Sequence, residues 1–268
     1  MNETLGYAAA IFVGLTLGLI GAGGAILTVP TMVYLMGINP VLATVYSLFI
    51  VGSTTLVGSV SYIKNGLVNF RTSVAFAIPS VISIFITRKF ILPSLPDVLI
   101  KTESFTFTKD HAVLLLFAVV MLASSFTMIF KKVKGQEIVN IPTKADYIKL
   151  SVYGIFVGLL SGMVGAGGGF LIVPALVFLA KIPVKSAIGT SLLIIAANSL
   201  SGFAGDLAGS YIIDWKLLLT FLGFALMGIL AGSYLTRFIS GDNIKKAFGW
   251  FVFIMGIYII IREIYSFK

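Results

Sequence analysis

The chain has 268 residues, of which 58% are hydrophobic and only 11% charged, with a mean hydropathy of +1.07. That leaves too little polar surface to cover a water-soluble globule of this size, so the composition specifies an integral membrane protein. The net charge of +9 sits in short connections between apolar runs, where lipid contact and topology place it rather than nucleic acid, and zero cysteine with a lone His111 excludes disulfides, thiolate metal sites and histidine clusters.

In chain order the apolar runs are residues 5–36, 41–63, 72–92, 112–130, 147–180, 184–208, 215–239 and 247–261. The first is read as a retained segment, because "MNET" supplies no basic start and the run outlasts the apolar core of a cleaved signal peptide. Six runs have ordinary membrane-helix length, about twenty residues give or take a few. The first and fifth exceed thirty residues and carry glycine clusters, "GLIGAGGAILTVP" at 18–30 and "GMVGAGGGFLIVP" at 162–174. Glycine is a poor helix former that permits positive φ, so each long run is expected to break at its cluster.

Runs one and five are copies. An offset of 144 residues superposes Gly14, Leu15, Gly18, Gly21, Ala22, Gly23, Gly24, Leu27, Val29 and Pro30 on identical residues of the fifth run. The match continues more weakly into runs two and six, where Ser47 falls on Ser191. The chain therefore reads as a duplication, with a first transmembrane repeat at 1–130, a lysine-rich cytoplasmic linker at 131–146 and a second repeat at 147–268. If each long run crosses once, the repeats are parallel and the Lys and Arg residues split ten against nine. If each enters and returns as a hairpin, the repeats are inverted and the split is twelve against seven, which the positive-inside rule favours. The expected fold is thus an all-α polytopic bundle of two inverted repeats, each with a glycine-interrupted hairpin, and with both termini outside.

A helix end inside a bilayer costs several kcal/mol, roughly, unless protein or an aqueous cavity receives its backbone groups. The segment after each break begins with free N–H groups at the positive end of a helix dipole, which attracts an anion. This makes Gly21, Ala22, Gly23 and Gly24, with Gly165, Ala166, Gly167, Gly168 and Gly169, candidates for holding a small oxyanion near the midplane. The pairs Gly14/Gly18, Gly158/Gly162, Gly228/Gly232 and Gly205/Gly209 are read instead as close-packing positions. Hydroxyl and amide groups that could add donors are Ser47, Thr190, Ser191 and Asn198, set among Thr44, Tyr46, Ser53, Thr54, Thr55, Ser199 and Ser201. No Asp or Glu relay and no arginine is expected at the centre of an apolar run. Asp206, near the end of its run, is the candidate gating or coupling group.

At these residues the chain resembles the TauE/SafE sulfite exporters, also grouped as toluene sulfonate uptake permeases. The likeness rests on the two glycine motifs and on "AIGTSLLII" at 187–195, and it covers essentially the whole chain. The first half reads "TVYS" at 44–47 where the family pattern has "GTS", so Tyr46 breaks the symmetry of the hydroxyl positions. The resemblance implies transport of sulfite, sulfonates, thiosulfate or related anions across a bacterial or archaeal cytoplasmic membrane. The function expected is a secondary transporter that alternates access around a site between the halves, with a passive anion channel or a membrane scaffold without cargo as alternatives. It would be no enzyme, and would take no cofactor or metal. Its partners would be a small sulfur-containing anion, the lipid bilayer and, for coupling, a proton or sodium ion, with no nucleic acid; the oligomeric state is left open.

Overall fold

The structure is a computed structural model that describes residues 3–101, 106–130, 144–207, 209, 211–235 and 241–266. Its long helices are α1 (Glu3–Ile20), α2 (Pro40–Lys64), α3 (Phe70–Ile86), α4 (Lys109–Phe130), α5 (Lys144–Val164), α6 (Gly169–Phe178), α7 (Val184–Leu207), α8 (Trp215–Leu235) and α9 (Gly241–Ser266). Among the described residues six spans are long and apolar enough to cross a membrane, and Leu5–Leu19 and Gly24–Leu35 are shorter apolar helices. The fold is therefore a helical, multi-pass membrane bundle. Residues 131–143 of the expected linker lie outside the described residues, and α5 already begins at Lys144.

The outer faces are apolar rather than polar. On α3 the residues Phe70, Val74, Ile78, Ile82 and Ile86 recur every fourth position and are all exposed. Such a stripe in water would forfeit the apolar transfer energy of five large side chains, roughly 1.5–3 kcal/mol each, so it marks the surface that faces lipid. The polar and small residues turn inward, opposite to the pattern of a soluble bundle.

Close helix pairs are set by glycine. Gly14 and Gly18 of α1 lie against Ala225, Ile229 and Ser233 of α8, and a Cβ at Gly18 would come within 2.6 Å of the Ile229 oxygen. Gly154, Gly158 and Gly162 of α5 meet Phe76, Ser80 and Thr87 in the same order along α3 and the segment following it. Both pairs are parallel and both confirm a packing role for these glycines, including Gly228 and Gly232, which face the α1 backbone. By contrast α2 and α7 run antiparallel: Tyr62 meets Gly189, Gly58 meets Leu192, Gly52 meets Leu200 and Leu48 meets Gly202. Helices α4 and α9 complete the bundle as a packed pair.

One departure from the all-helical expectation is a two-stranded antiparallel hairpin, β1 (Val98–Lys101) with β2 (Thr106–Thr108), between α3 and α4. Its residues are β-formers in the connection between apolar runs, too short to register as strands beside the membrane signal.

Candidate functional site

The two glycine clusters fold differently. At the second, α5 stops at Val164, the Gly165 N–H donates to the Ser161 carbonyl at 2.8 Å, and α6 starts at Gly169. Gly165, Gly167 and Gly168 have φ of +74°, +64° and +72°, a left-handed backbone that an L side chain rarely adopts. The N–H groups of Leu171 and Ile172 return to the Gly168 carbonyl at 3.0 and 3.2 Å. That leaves the N–H groups of Gly169 and Phe170, the first two of α6, with no intrahelical carbonyl to bond. At the first cluster the chain keeps turning: Gly21–Leu27 is a 3-10 helix, followed by an α-turn at Thr28–Pro30 and a π-helical turn at Thr31–Leu35. The expected break is thus a change of winding there rather than a gap.

Around the second cluster stand four elements. Asn39 caps α2 by accepting the N–H groups of Val41 and Leu42, and this sets Thr44, Ser47 and Val51 on one helical stripe. Thr44 lies against Gly165 and Val51 against Gly167. From α7, Ile195 and Ser199 also face Gly167, and from α5 Ser161 faces Gly168, 3.2 Å from where a Cβ would stand.

The fourth element brings a charge. Beyond α3 the chain winds into a π-helical turn at Thr87–Ile91 and a last α-turn at Leu92–Ser94, so one span runs from Phe70 to Ser94. Arg88 lies within it and is 1% exposed. Its Nη1 donates to Thr44 Oγ1 at 2.9 Å and to Asp206 Oδ2 at 3.2 Å. Its Nε and Nη2 have no protein partner, and Nη2 lies 2.8 Å from the point where a Cβ of Gly165 would be. Asp206 Oδ1 and the hydroxyls of Ser47, Ser161 and Ser199 are likewise buried without a protein partner. Buried polar groups are almost always hydrogen-bonded, so orphans gathered around one loop call for an occupant.

Arg88 lies toward the end of its span, as the expectation of no arginine at the centre of an apolar run allows, yet its side chain is buried inside the bundle and paired with Asp206. Near the end of the run at 72–92 a π-turn carries the helix on, and the Arg88 guanidinium turns inward to Thr44 and Asp206. Asp206 is its partner rather than a solvated interfacial carboxylate. Ser161 was also missed, since it lies on α5 rather than in the polar second run of its repeat.

Of the expected residues, Gly165, Ala166, Gly167, Gly168, Gly169, Ser47 and Asp206 belong to this cluster or its walls. Asn198 is one helix face away, accepting a bond from the Ser80 hydroxyl at 2.7 Å with its Nδ2 unpartnered. Ser191 donates to its own helix at the Ile188 carbonyl, and Thr190 accepts the Asn69 N–H at 3.0 Å. Tyr46, the residue 144 positions before Thr190, accepts the Asp214 N–H at 2.7 Å. Both N–H groups belong to residues at helix starts, and each of these residues caps its own helix with its side chain. The pair at positions 46 and 190 thus fastens each inner helix to a loop of the opposite half.

At the first cluster, Gly24 packs against the α1 backbone, where a Cβ would stand 2.6 Å from the Thr16 carbonyl carbon. Gly21, Ala22 and Gly23 share its 3-10 helix, which packs against α6 and α7, so the two clusters adjoin. The positions related by the offset of 144 to Arg88 and Asp206 are Gly232 and Tyr62, neither of them charged.

Comparison with known proteins agrees with this architecture. The family described as "Sulfite exporter TauE/SafE" matches residues 6–259. A probable membrane transporter protein of Xylella fastidiosa is 31% identical over 255 residues, covering 94% of this chain and 92% of its own length. The probable membrane transporter protein YunE of Bacillus subtilis is 26% identical over 267 residues, covering 92% and 93%. No solved structure matches. With nearly its whole length inside the family's match and its membrane spans in place, the chain belongs to the TauE/SafE sulfite exporter family.

Proposed function

We propose that the protein is a secondary transporter, not an enzyme, for a small sulfur oxyanion such as sulfite, thiosulfate or an organosulfonate, held at the second glycine cluster. The observation that carries the reading is the Nε/Nη2 edge of Arg88, buried, without a protein partner, and laid against Gly165. That edge offers two parallel N–H donors, the geometry that grips two oxygens of an oxyanion at once. The hydroxyls of Ser47, Ser161 and Ser199 and the first N–H groups of α6 are donors for the remaining oxygens.

The halves are read as inverted repeats, 1–130 and 147–268, on either side of a cytoplasmic linker. Supporting this, α2 and α7 occupy equivalent places in the two halves yet run antiparallel, and α1 pairs with α8 as α5 pairs with α3. Such a set fits a two-fold axis in the membrane plane, under which both termini would lie on the face opposite the linker, outside a cytoplasmic membrane by the twelve-to-seven charge split. Access then alternates as the halves rock, with the Tyr46–Asp214 and Thr190–Asn69 bonds as fastenings at opposite faces. The site lies off centre: Thr44 and Asp206 are near helix ends, and Val51 and Gly167 nearer the middle.

The test is a thermal-shift screen of purified protein against sulfite, thiosulfate, methanesulfonate, sulfate and carboxylate controls. An anion at about 100 times its Kd adds roughly 2.7 kcal/mol of apparent stability. A shift with a sulfur oxyanion that is lost in Arg88→Gln/Asp206→Asn supports the reading; no shift, or an equal shift in that variant, overturns it. Counterflow in proteoliposomes separates a carrier from a channel.

A further inference from the structure

The Arg88–Asp206 pair is an open one. An arginine whose only task is to neutralise a buried carboxylate meets it fork to fork, with two parallel bonds. Here a single Nη1, already shared with Thr44, makes the only bond, at 3.2 Å, while the better donor edge and Asp206 Oδ1 are both unpartnered. The pair is also no demand of the fold, because the related positions in the other half carry glycine and tyrosine.

Resting on the reading that an oxyanion takes this edge of Arg88, we propose that Asp206 is a proton-binding site coupled to it: the anion neutralises the guanidinium from its free edge, and Asp206, whose charge Arg88 then no longer balances, takes up one proton from solution. The charge count drives this. With Arg88 and Asp206 alone the buried site is neutral; a bound monoanion makes it −1, and protonating Asp206 returns it to zero. A low-dielectric interior penalises unbalanced charge heavily, so the neutral loaded form is the one that can change its exposure from one face to the other. The charged or titratable groups that face Asp206 are Arg88 from the π-helical turn and Tyr211 from the α7–α8 connection, with Lys109 and Asp97 beyond Tyr211. Thr44 from α2 reaches Arg88 but does not titrate. Asp97, the other carboxylate among them, is exposed and paired with Lys109 at 3.2 Å, so it is not placed to take the proton instead.

The probe is methanesulfonate, with ethanesulfonate in parallel, because both are monoanions that take up no proton in the working pH range, whereas sulfite protonates there and thiosulfate carries two charges, and either would obscure the count. The full-length protein in weakly buffered detergent solution is titrated with each anion while a pH indicator records protons. The proposal expects uptake of about one proton per anion bound, and an affinity that strengthens up to about tenfold for each unit the pH falls. Asp206→Asn, which is neutral throughout, should bind the anion more tightly at neutral pH, without proton uptake and without the pH dependence. Anion binding by the wild type with no proton uptake overturns the coupling and leaves the anion site standing, and uptake that persists in Asp206→Asn overturns it equally. If neither anion binds the wild type, the anion site itself fails and the coupling with it. The wild-type titration decides even if the variant does not fold.

Discussion

The two glycine clusters begin with the same four residues, "GAGG", yet one region is a wound helix and the other an open loop. At the first, the missing side chain of Gly24 lets its backbone close onto α1. At the second, left-handed glycines hold the chain open beside a buried arginine. One residue separates the motifs at once: the first continues with Ala25, fully buried, and the second with Gly169. The two motifs thus differ in what surrounds them, with close packing at the first and a buried charge at the second.

Breaking this division is easiest at Arg88. Arg88→Gln should reduce anion affinity by more than about 100-fold, since it removes two charged hydrogen bonds of roughly 1.5–3 kcal/mol each. It also strands Asp206 as an unpaired buried charge, at a cost of about 3–5 kcal/mol. The double variant with Asp206→Asn should recover stability in melting experiments and still bind no anion. Were it to bind, the site would lie elsewhere.

Next in size is the contrast between the glycines. Gly165→Ala puts a methyl group where Arg88 Nη2 and the Thr44 Cα now lie, on a backbone with φ of +74°, and should lower affinity at least about tenfold while costing about 1–2 kcal/mol of strain. Gly24→Ala should cost stability, but the molecules that fold should bind with unchanged affinity. Equal losses of affinity in both would restore the symmetrical picture.

The hydroxyls sharpen the same comparison. Ser199→Ala removes an unpartnered donor facing Gly167 and should cost about 0.5–1.5 kcal/mol of binding, three- to tenfold or so. Ser191→Ala should change affinity less than about twofold, because its hydroxyl is already spent on Ile188. Isothermal titration of both variants reads the difference.

The smallest effects concern the fastenings. Tyr46→Phe and Thr190→Val each remove one hydrogen bond of about 1 kcal/mol, enough to shift a two-state balance roughly fivefold. Because the bonds lie at opposite ends of the antiparallel α2 and α7, the two variants should shift labelling of cysteines introduced at the two faces in opposite directions. Shifts of the same sign would mean that the bonds hold the fold rather than the balance between its states.

Much of this was legible in the sequence, for physical reasons that also mark where legibility ends. Apolar runs and glycine clusters are local signals, and they led to the membrane class and the family. The difference between the clusters was not local. Whether "GAGG" winds or opens depends on what packs against it, α1 in one case and α2, α7 and Arg88 in the other. Arg88 was not singled out because it lies near the end of its run, and its inward direction depends on the π-turn and on the Thr44 and Asp206 side chains it meets there. Thr190 and Tyr46 looked like an interrupted hydroxyl pair, yet they serve one mechanical purpose with side chains of different reach.

The central claim is that the anion sits between the second glycine cluster and Arg88. An anomalous-scattering map of crystals soaked with bromomethanesulfonate tests it most directly. A bromine peak beside Gly165 and Gly167, with the sulfonate oxygens on Arg88 Nε and Nη2, is the predicted result. A peak at the first cluster or elsewhere, or a sulfonate that leaves the Arg88 edge untouched, would contradict it.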